Sequence, residues 1–279
     1  MKLIVEAGSS KTDSVLIDRG ETISEVFSSI GINPVSDKNY TEKLKVLTDH
    51  YKSRSDIKEV HFYGSGCIGG VVDDAVANQL RRGLTNKPES FVYSDLLGAA
   101  KASCGSDSGL ACILGTGSNI GYYNGGAIED GIRSAGYLLG DEGSAYQIGR
   151  EIYIRVVRNQ LDKGSIHQFL EVHALNHEEL VNKLYASQNV RTYLARFSKF
   201  IENLSETDRT DILENVFGLF IKNMAQPLYL KYGLPLHFCG SIGYYFQDTL
   251  KRMLKESHIK SGNFVKSPIY GLIDYHIKY

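Results

Sequence analysis

Short apolar runs broken by polar turns set the pattern of this chain. Leu3–Val5 predicts a strand, a turn follows at Ala7–Lys11, and Val15–Ile17 predicts a second short strand ending at Asp18-Arg19-Gly20. Glu21–Phe27 alternates well enough to predict a third. Leu44 and Leu47 within Thr41–Lys52 predict a helix. Val60–Tyr63 reads as a strand stopped by Gly64-Ser65-Gly66, and Val72, Val76, Leu80 and Leu84, four apart, mark a helix. Ser90–Tyr93 predicts another strand, and the Ala- and Leu-rich Asp95–Ser103 another helix.

The pattern then restarts. Gly109–Leu114 is a buried strand, Gly115–Asn119 a Gly-rich turn, Ile120–Tyr123 a strand, Asn124-Gly125-Gly126 a hairpin turn, and Ala127–Glu129 the start of a third strand. Strand, loop, strand, turn and strand thus occur twice, roughly 105 residues apart, which predicts an internal duplication with one lobe per copy. The remainder is largely helical. Ala145, Ile148, Ile152 and Val156 share one face, as do Ile212, Val216, Leu219, Phe220 and Met224. Leu234–Phe238 predicts a strand ending at Gly240-Ser241, Phe246, Leu250, Met253 and Leu254 a helix, and Ile269–His276 a closing amphipathic helix. The expected organisation is an N-terminal lobe over 1–105 and a C-terminal lobe over 106–265, followed by a closing helix at 266–279.

Composition narrows the function classes. At 279 residues and 42% hydrophobic content the chain can bury two cores. A net charge of −1 gives no basic footprint for nucleic acid and no polybasic membrane surface. Glu6 interrupts the first apolar run before signal-peptide length, and no window of about 18 apolar residues predicts a membrane span. Cys67, Cys104, Cys112 and Cys239 form no C-x-x-C pair, so reduced buried thiols in a cytoplasmic protein are expected.

Three Gly/Ser/Thr-rich loops follow apolar strands: Ala7–Thr12, Gly115–Asn119 and Gly240–Gly243. Glycine lets backbone N–H groups approach phosphate oxygens, and hydroxyls add donors. One such loop is common at any strand end. Three of them, two in matching places of a duplicated unit, point to a nucleotide whose phosphates lie between two lobes. None fits a Walker A pattern or a dinucleotide fingerprint. Asp141-Glu142-Gly143-Ser144 precedes a periodic helix; it either complements the helix dipole or holds Mg²⁺ through water, and Glu6 suits the same task from the opposite lobe. Asp95 is either an N-cap, a job for which Ser94 competes, or a general base for an attacking hydroxyl.

Over essentially its whole length the chain resembles the BadF/BadG/BcrA/BcrD-type ATPases, and within them the N-acetylglucosamine kinases of the sugar kinase, Hsp70 and actin superfamily. SIGINP (Ser29–Pro34), FYGSGC (Phe62–Cys67), SDLLGAAKA (Ser94–Ala102), CILGTGSN (Cys112–Asn119), GYLLGDEGSAY (Gly136–Tyr146), LPLHFCGSIG (Leu234–Gly243) and SPIYGLIDYH (Ser267–His276) carry the likeness in order. It implies an α/β, two-lobed, ribonuclease H-like fold, with each duplicated mixed sheet flanked by helices and the final helix, 266–279, returning to pack on the first lobe. Gly8, Ser9, Ser10 and Lys11 would contact phosphate, Gly115 and Thr116 would form the second phosphate loop, and Gly240 and Ser241 would line the adenosine pocket. Asp95 falls on the family's catalytic base, and Asn33, Gly117, Asn119 and Asp141 on sugar-contacting positions. Glu6 stands where Asp is more usual, Ser10 where Thr is common, and Ala7 and Ser9 replace glycines. No Trp exists to stack on a sugar, which leaves Tyr137 or a Gly-rich wall.

The expected activity is therefore an ATP- and Mg²⁺-dependent kinase acting on the 6-hydroxyl of N-acetylglucosamine or a related amino sugar. N-acetylmuramate, glucosamine and glucose are alternative acceptors. An ATPase activator of a dehydratase and a non-catalytic sugar sensor are alternatives of other classes. A homodimer is common in the family. His61, His167, His237 and His276 read as ordinary polar or core histidines.

Overall fold

The apolar runs become the inner strands of two sheets. In a computed structural model describing residues 1–279, β1 (Lys2–Ala7) buries Leu3, Ile4 and Val5 completely. A run covered on both faces suits a strand with helices on either side. The first lobe continues through β2 (Lys11–Asp18), β3 (Glu21–Thr22), β4 (Phe27–Ile30), α1 (Tyr40–Tyr51), β5 (Glu59–Gly64), α2 (Val71–Gly83), β6 (Glu89–Ser94) and α3 (Asp95–Cys104). The second lobe begins with β7 (Gly109–Leu114), β8 (Ser118–Tyr123) and β9 (Ile128–Ile132). Helices follow: α4 (Gly136–Leu139), α5 (Ala145–Val157), α6 (Lys163–Val172), α7 (Leu180–Tyr185), α8 (Val190–Ala195), α9 (Glu206–Phe220) and α10 (Gln226–Tyr232). This lobe closes with β10 (Leu236–Cys239), α11 (Ser241–Tyr245), α12 (Gln247–Glu256) and β11 (Ser261–Val265). α13 (Pro268–Lys278) then returns to pack on α3, β1 and β2.

The sheets share one plan. The first is ordered β3-β2-β1-β5-β6, with β4 also on β2; the second, read from its hairpin edge, is β9-β8-β7-β10-β11. In each, an antiparallel meander of three strands is extended by two parallel ones. The duplication faint in sequence is therefore explicit in topology. α3 packs on both sheets, touching β1, β5 and β6 on one side and β7, β8 and β10 on the other. Its Gly98 is required there, because a Cβ would stand 2.9 Å from the Tyr63 Cβ.

Several elements differ from expectation. β2 runs the full Lys11–Asp18 because Thr12, Asp13 and Ser14 are buried polar residues that apolar counting overlooks. Glu21–Phe27 is not one strand. Only Glu21 and Thr22 pair with β2, then the Ser24 hydroxyl accepts the Leu16 N–H at 3.1 Å, and pairing resumes in β4. Ser118 and Asn119 belong to β8, so the turn before it is only Gly115–Gly117. β11, the polar stretch Ser-Gly-Asn-Phe-Val, gave no apolar signal. All four cysteines are buried and free. No helix is long and apolar enough to cross a membrane.

Candidate active site

The hairpin tips of the two lobes meet. The first is closed by the Gly8 N–H donating to the Lys11 carbonyl at 2.9 Å. Gly31 underlies it, since any side chain there would overlap the backbone of Ser9 and Ser10. The second tip is closed by the Gly115 N–H on the Gly117 carbonyl at 3.0 Å. Its outer carbonyls are held by the start of α5: Ala145 N–H reaches Gly115 O at 2.8 Å and Tyr146 N–H reaches Thr116 O at 3.2 Å. Ser10 Oγ and Thr116 Oγ1 then lie 2.8 Å apart. Two loops rich in backbone donors thus face one cleft, as phosphate binding between lobes requires. Gly240, at φ +115°, brings the third loop against the second; a Cβ there would stand 2.5 Å from the Leu114 carbonyl oxygen. Ser241 is exposed at the start of α11.

Asp95 does not cap its own helix. The Ser94 hydroxyl accepts the Leu97 N–H at 3.2 Å, which settles the capping question in favour of Ser94. Burial pushes the Asp95 carboxyl up to about 6, against the Leu96 N–H, the Ser65 hydroxyl and the Arg191 charge, which favour its ionised form. Ser65 is the hub here. Its hydroxyl favours the ionised form of Asp95, accepts the Asn33 amide at 3.2 Å, and lies 3.5 Å from Ser9 Oγ. Ser65 therefore stands beside both the first loop and Asn33. The serine of Phe62–Cys67, just past a strand, was its sequence signal. Asn33 spends its carbonyl on the Val35 and Ser36 N–H groups, at 3.1 and 3.0 Å, and keeps amide capacity for a ligand.

Glu6 closes β1 opposite Asp13. Burial, with Asp13 and Asp95 nearby, pushes its carboxyl up to about 8, and Lys11 is the one cation opposing this. Asp13 itself is buried, ion-paired with Lys11 at 2.6 Å and hydrogen-bonded by Ser28 at 2.6 Å. This excess of carboxylate suits a cation. No group of three Asp, Glu, His or Cys side chains is arranged to ligate a metal ion directly.

Asp141 sits outside the first turn of α5, whose cap is Ser144, so the helix-dipole reading does not hold. It has a left-handed backbone, φ +59°, and is buried. Its Oδ1 accepts the Ser118 N–H at 3.3 Å, and its Oδ2 lies 3.0 Å from Arg191 Nε. Burial pushes this carboxyl above the usual carboxylate range, with Arg191 opposing. Arg191 carried no sequence signal, lying in a helical stretch without a motif. Gly117 lies beneath its guanidinium, where a Cβ would overlap Nη2. Asn119, half-buried on β8, turns Oδ1 onto the Ile120 N–H at 3.0 Å. Tyr137 packs edge-on against Tyr146, with ring centroids 5.4 Å apart.

No protein-family model matches the chain. In solved structures, it is similar over its whole length to the "Putative N-acetylglucosamine Kinase" of Porphyromonas gingivalis, with 32% identity, a TM-score of 0.92, and coverage of 100% of this chain and 99% of that one. The protein of the same description from Chromobacterium violaceum gives a TM-score of 0.73 at 15% identity, covering 98% of each chain. A ROK family glucokinase from Streptomyces griseus, solved with glucose and AMPPNP, gives 0.60 at 14% identity, covering 98% of this chain and 97% of that one. The latter two are likenesses of fold.

Proposed function

This chain belongs to the sugar kinases of the two-lobed, actin-like ATPase superfamily, and we propose that it moves the γ-phosphoryl group of ATP to the 6-hydroxyl of N-acetylglucosamine or a related amino sugar. The observation that carries this reading is the junction at Ser10 and Thr116, one hydroxyl from each lobe's hairpin tip, 2.8 Å apart.

In this reading the N–H groups of Gly8–Lys11 and of Gly115–Thr116, with the Ser10 and Thr116 hydroxyls, hold the phosphates from opposite sides. Gly240 and Ser241 take the adenosine end. Glu6 would hold Mg²⁺ through water, and the ion would offset phosphate charge. Asn33, Gly117 and Asn119 would frame the acceptor, with the buried Asp141 behind Arg191 rather than in contact with the sugar. Asp95 accepts the proton of the hydroxyl as its oxygen bonds to the γ-phosphorus; the bond from that phosphorus to the β,γ-bridging oxygen breaks, and ADP leaves. A carboxyl near 6 is mostly ionised at neutral pH, as a base must be. Asp95 stands at the start of α3, the helix that packs on both sheets.

The test is ADP release by purified protein with ATP and Mg²⁺ against N-acetylglucosamine, N-acetylmuramate, glucosamine and glucose. Acceptor-dependent ADP formation, highest with an amino sugar, is expected. Equal ATP consumption with and without every sugar would overturn the proposal.

A further inference from the structure

We propose that Arg191 of α8 is the residue that selects the acceptor, presenting guanidinium donors to an acyl or carboxylate oxygen of the sugar. This rests on the kinase reading above and narrows its substrate class. The sequence points to Asp141 as the charged reader of the sugar, yet in the structure the Asp141 side chain is only 2% exposed while that of Arg191 is 26% exposed. Arg191 stands in front. Its Nε lies 3.0 Å from Asp141 Oδ2, and its Nη2 end rests on Gly117. Its charge also favours the ionised form of Asp95.

Asp141 already has the Ser118 N–H on Oδ1 and Arg191 over Oδ2. The Nε–H is not aimed at Oδ2, so the pair is an ion pair without an aligned hydrogen bond. A buried carboxylate needs such a counter-charge. The ion pair is made through Nε, and the side chain stays 26% exposed. The guanidinium N–H groups are donors only, and their best complements are carbonyl and carboxylate oxygens. A free ammonium on the sugar would instead meet a like charge.

The placement of Arg191 is built into the fold. α8 lies directly on α5 at Gly149, where a Cβ would overlap the Leu194 carbonyl. The start of α5 carries the second phosphate loop through the Gly115 and Thr116 carbonyls. Guanidinium and loop therefore share one support.

The experiment measures kcat/KM of the full-length protein and its Arg191→Met and Arg191→Lys variants with N-acetylglucosamine, N-acetylmuramate, glucosamine and glucose. The wild type is expected to prefer an acylated sugar over glucosamine by at least about tenfold. Arg191→Met should lose at least about tenfold on the acylated sugars through KM, change less than about threefold on glucose, and leave the KM for ATP within about twofold. Arg191→Lys should recover part of the loss. A larger loss on N-acetylmuramate than on N-acetylglucosamine identifies the carboxylate as the group read; equal losses identify the acyl oxygen. Uniform loss on every acceptor, no loss on any, or a wild type that favours glucosamine overturns the inference and leaves the kinase reading standing. A wild type active on no acceptor ends that reading itself. Should Arg191→Met fail to fold, Arg191→Gln gives the same comparison.

Discussion

Ser10 Oγ and Thr116 Oγ1 stand 2.8 Å apart although 106 positions separate them in the chain. Each hydroxyl is a phosphate donor in the proposed site. Hydrogen bonds to charged groups contribute about 1.5–3 kcal/mol. Ser10→Ala and Thr116→Ala should each raise the KM for ATP by about tenfold or more, with acceptor binding by calorimetry unchanged. Because the two hydroxyls touch, the double variant should lose less than the product of the single losses. Normal ATP affinity in both single variants would remove the loops from phosphate binding.

Asp95→Asn keeps the shape of the side chain and removes the base. The kcat should fall at least about a hundredfold while acceptor affinity stays near wild type. The wild-type rate should decline as pH drops below about 6, where the carboxyl takes up its proton. Ser65→Ala removes a hydrogen bond to the ionised form, so its acid limb should move to higher pH. A pH–rate profile of the three proteins decides this.

Glu6 binds a proton more tightly folded than unfolded, its carboxyl rising from 4.5 to about 8. Ionising it therefore costs stability as pH rises through that interval. In metal-free buffer at pH 8, Glu6→Gln should be more stable than wild type by on the order of 3 kcal/mol. Only below about pH 4.5, where Glu6 is protonated in the folded and the unfolded chain alike, should the gap stop changing, so it should be far smaller at pH 5 than at pH 8. The same variant should lose most kinase activity. Thermal melts at both pH values with chelator present provide the comparison; a variant less stable at pH 8 would contradict the burial argument.

His276 runs the opposite way. Burial, His61, Lys101 and Lys2 push it down to about 3, while its Nε2 shares a hydrogen bond with the Tyr63 hydroxyl at 2.9 Å. The folded state resists protonation that the unfolded chain accepts near 6.5. Stability is thus complete above about 6.5 and lost as pH falls toward 3, by up to about 3 kcal/mol at pH 4. His276→Gln should flatten this slope. Denaturant melts between pH 7 and 4 would show it, and parallel slopes in the two proteins would count against the assignment.

Gly240 has φ +115° and no room beneath it. Gly240→Ala should lower stability by about 2 kcal/mol or more and raise the KM for ATP, because the third loop must lift from Leu114. An unaltered melting temperature would mean the loop yields freely.

The strands with continuous apolar runs were readable because burial on both faces leaves a compositional mark: Leu3–Val5, Val60–Tyr63 and Gly109–Leu114 all fall in central positions. The glycine-rich ends of these strands pointed to the cleft for the same reason. β2 was cut short because Asp13 and Ser14 are buried by pairing with Lys11 and Tyr51, a tertiary fact that local hydropathy cannot carry. β11 exchanges apolar content for backbone pairing to β10, with Asn263 donating to the Ser103 carbonyl. Among site residues, Glu6, Ser10, Asp95 and Thr116 stand next to recognisable turns. Arg191 reaches the cleft from a short helix fifty positions beyond Asp141, and only the packing of α8 on α5 reveals it.

Because the proposed site draws residues from both lobes, neither half of the chain should suffice for the reaction. A fragment ending at α3 would retain Asp95 and one donor loop; its complement would retain Thr116, Asp141 and Arg191. Separately expressed halves should be inert, and any turnover on mixing them would report reassembly of the seam itself.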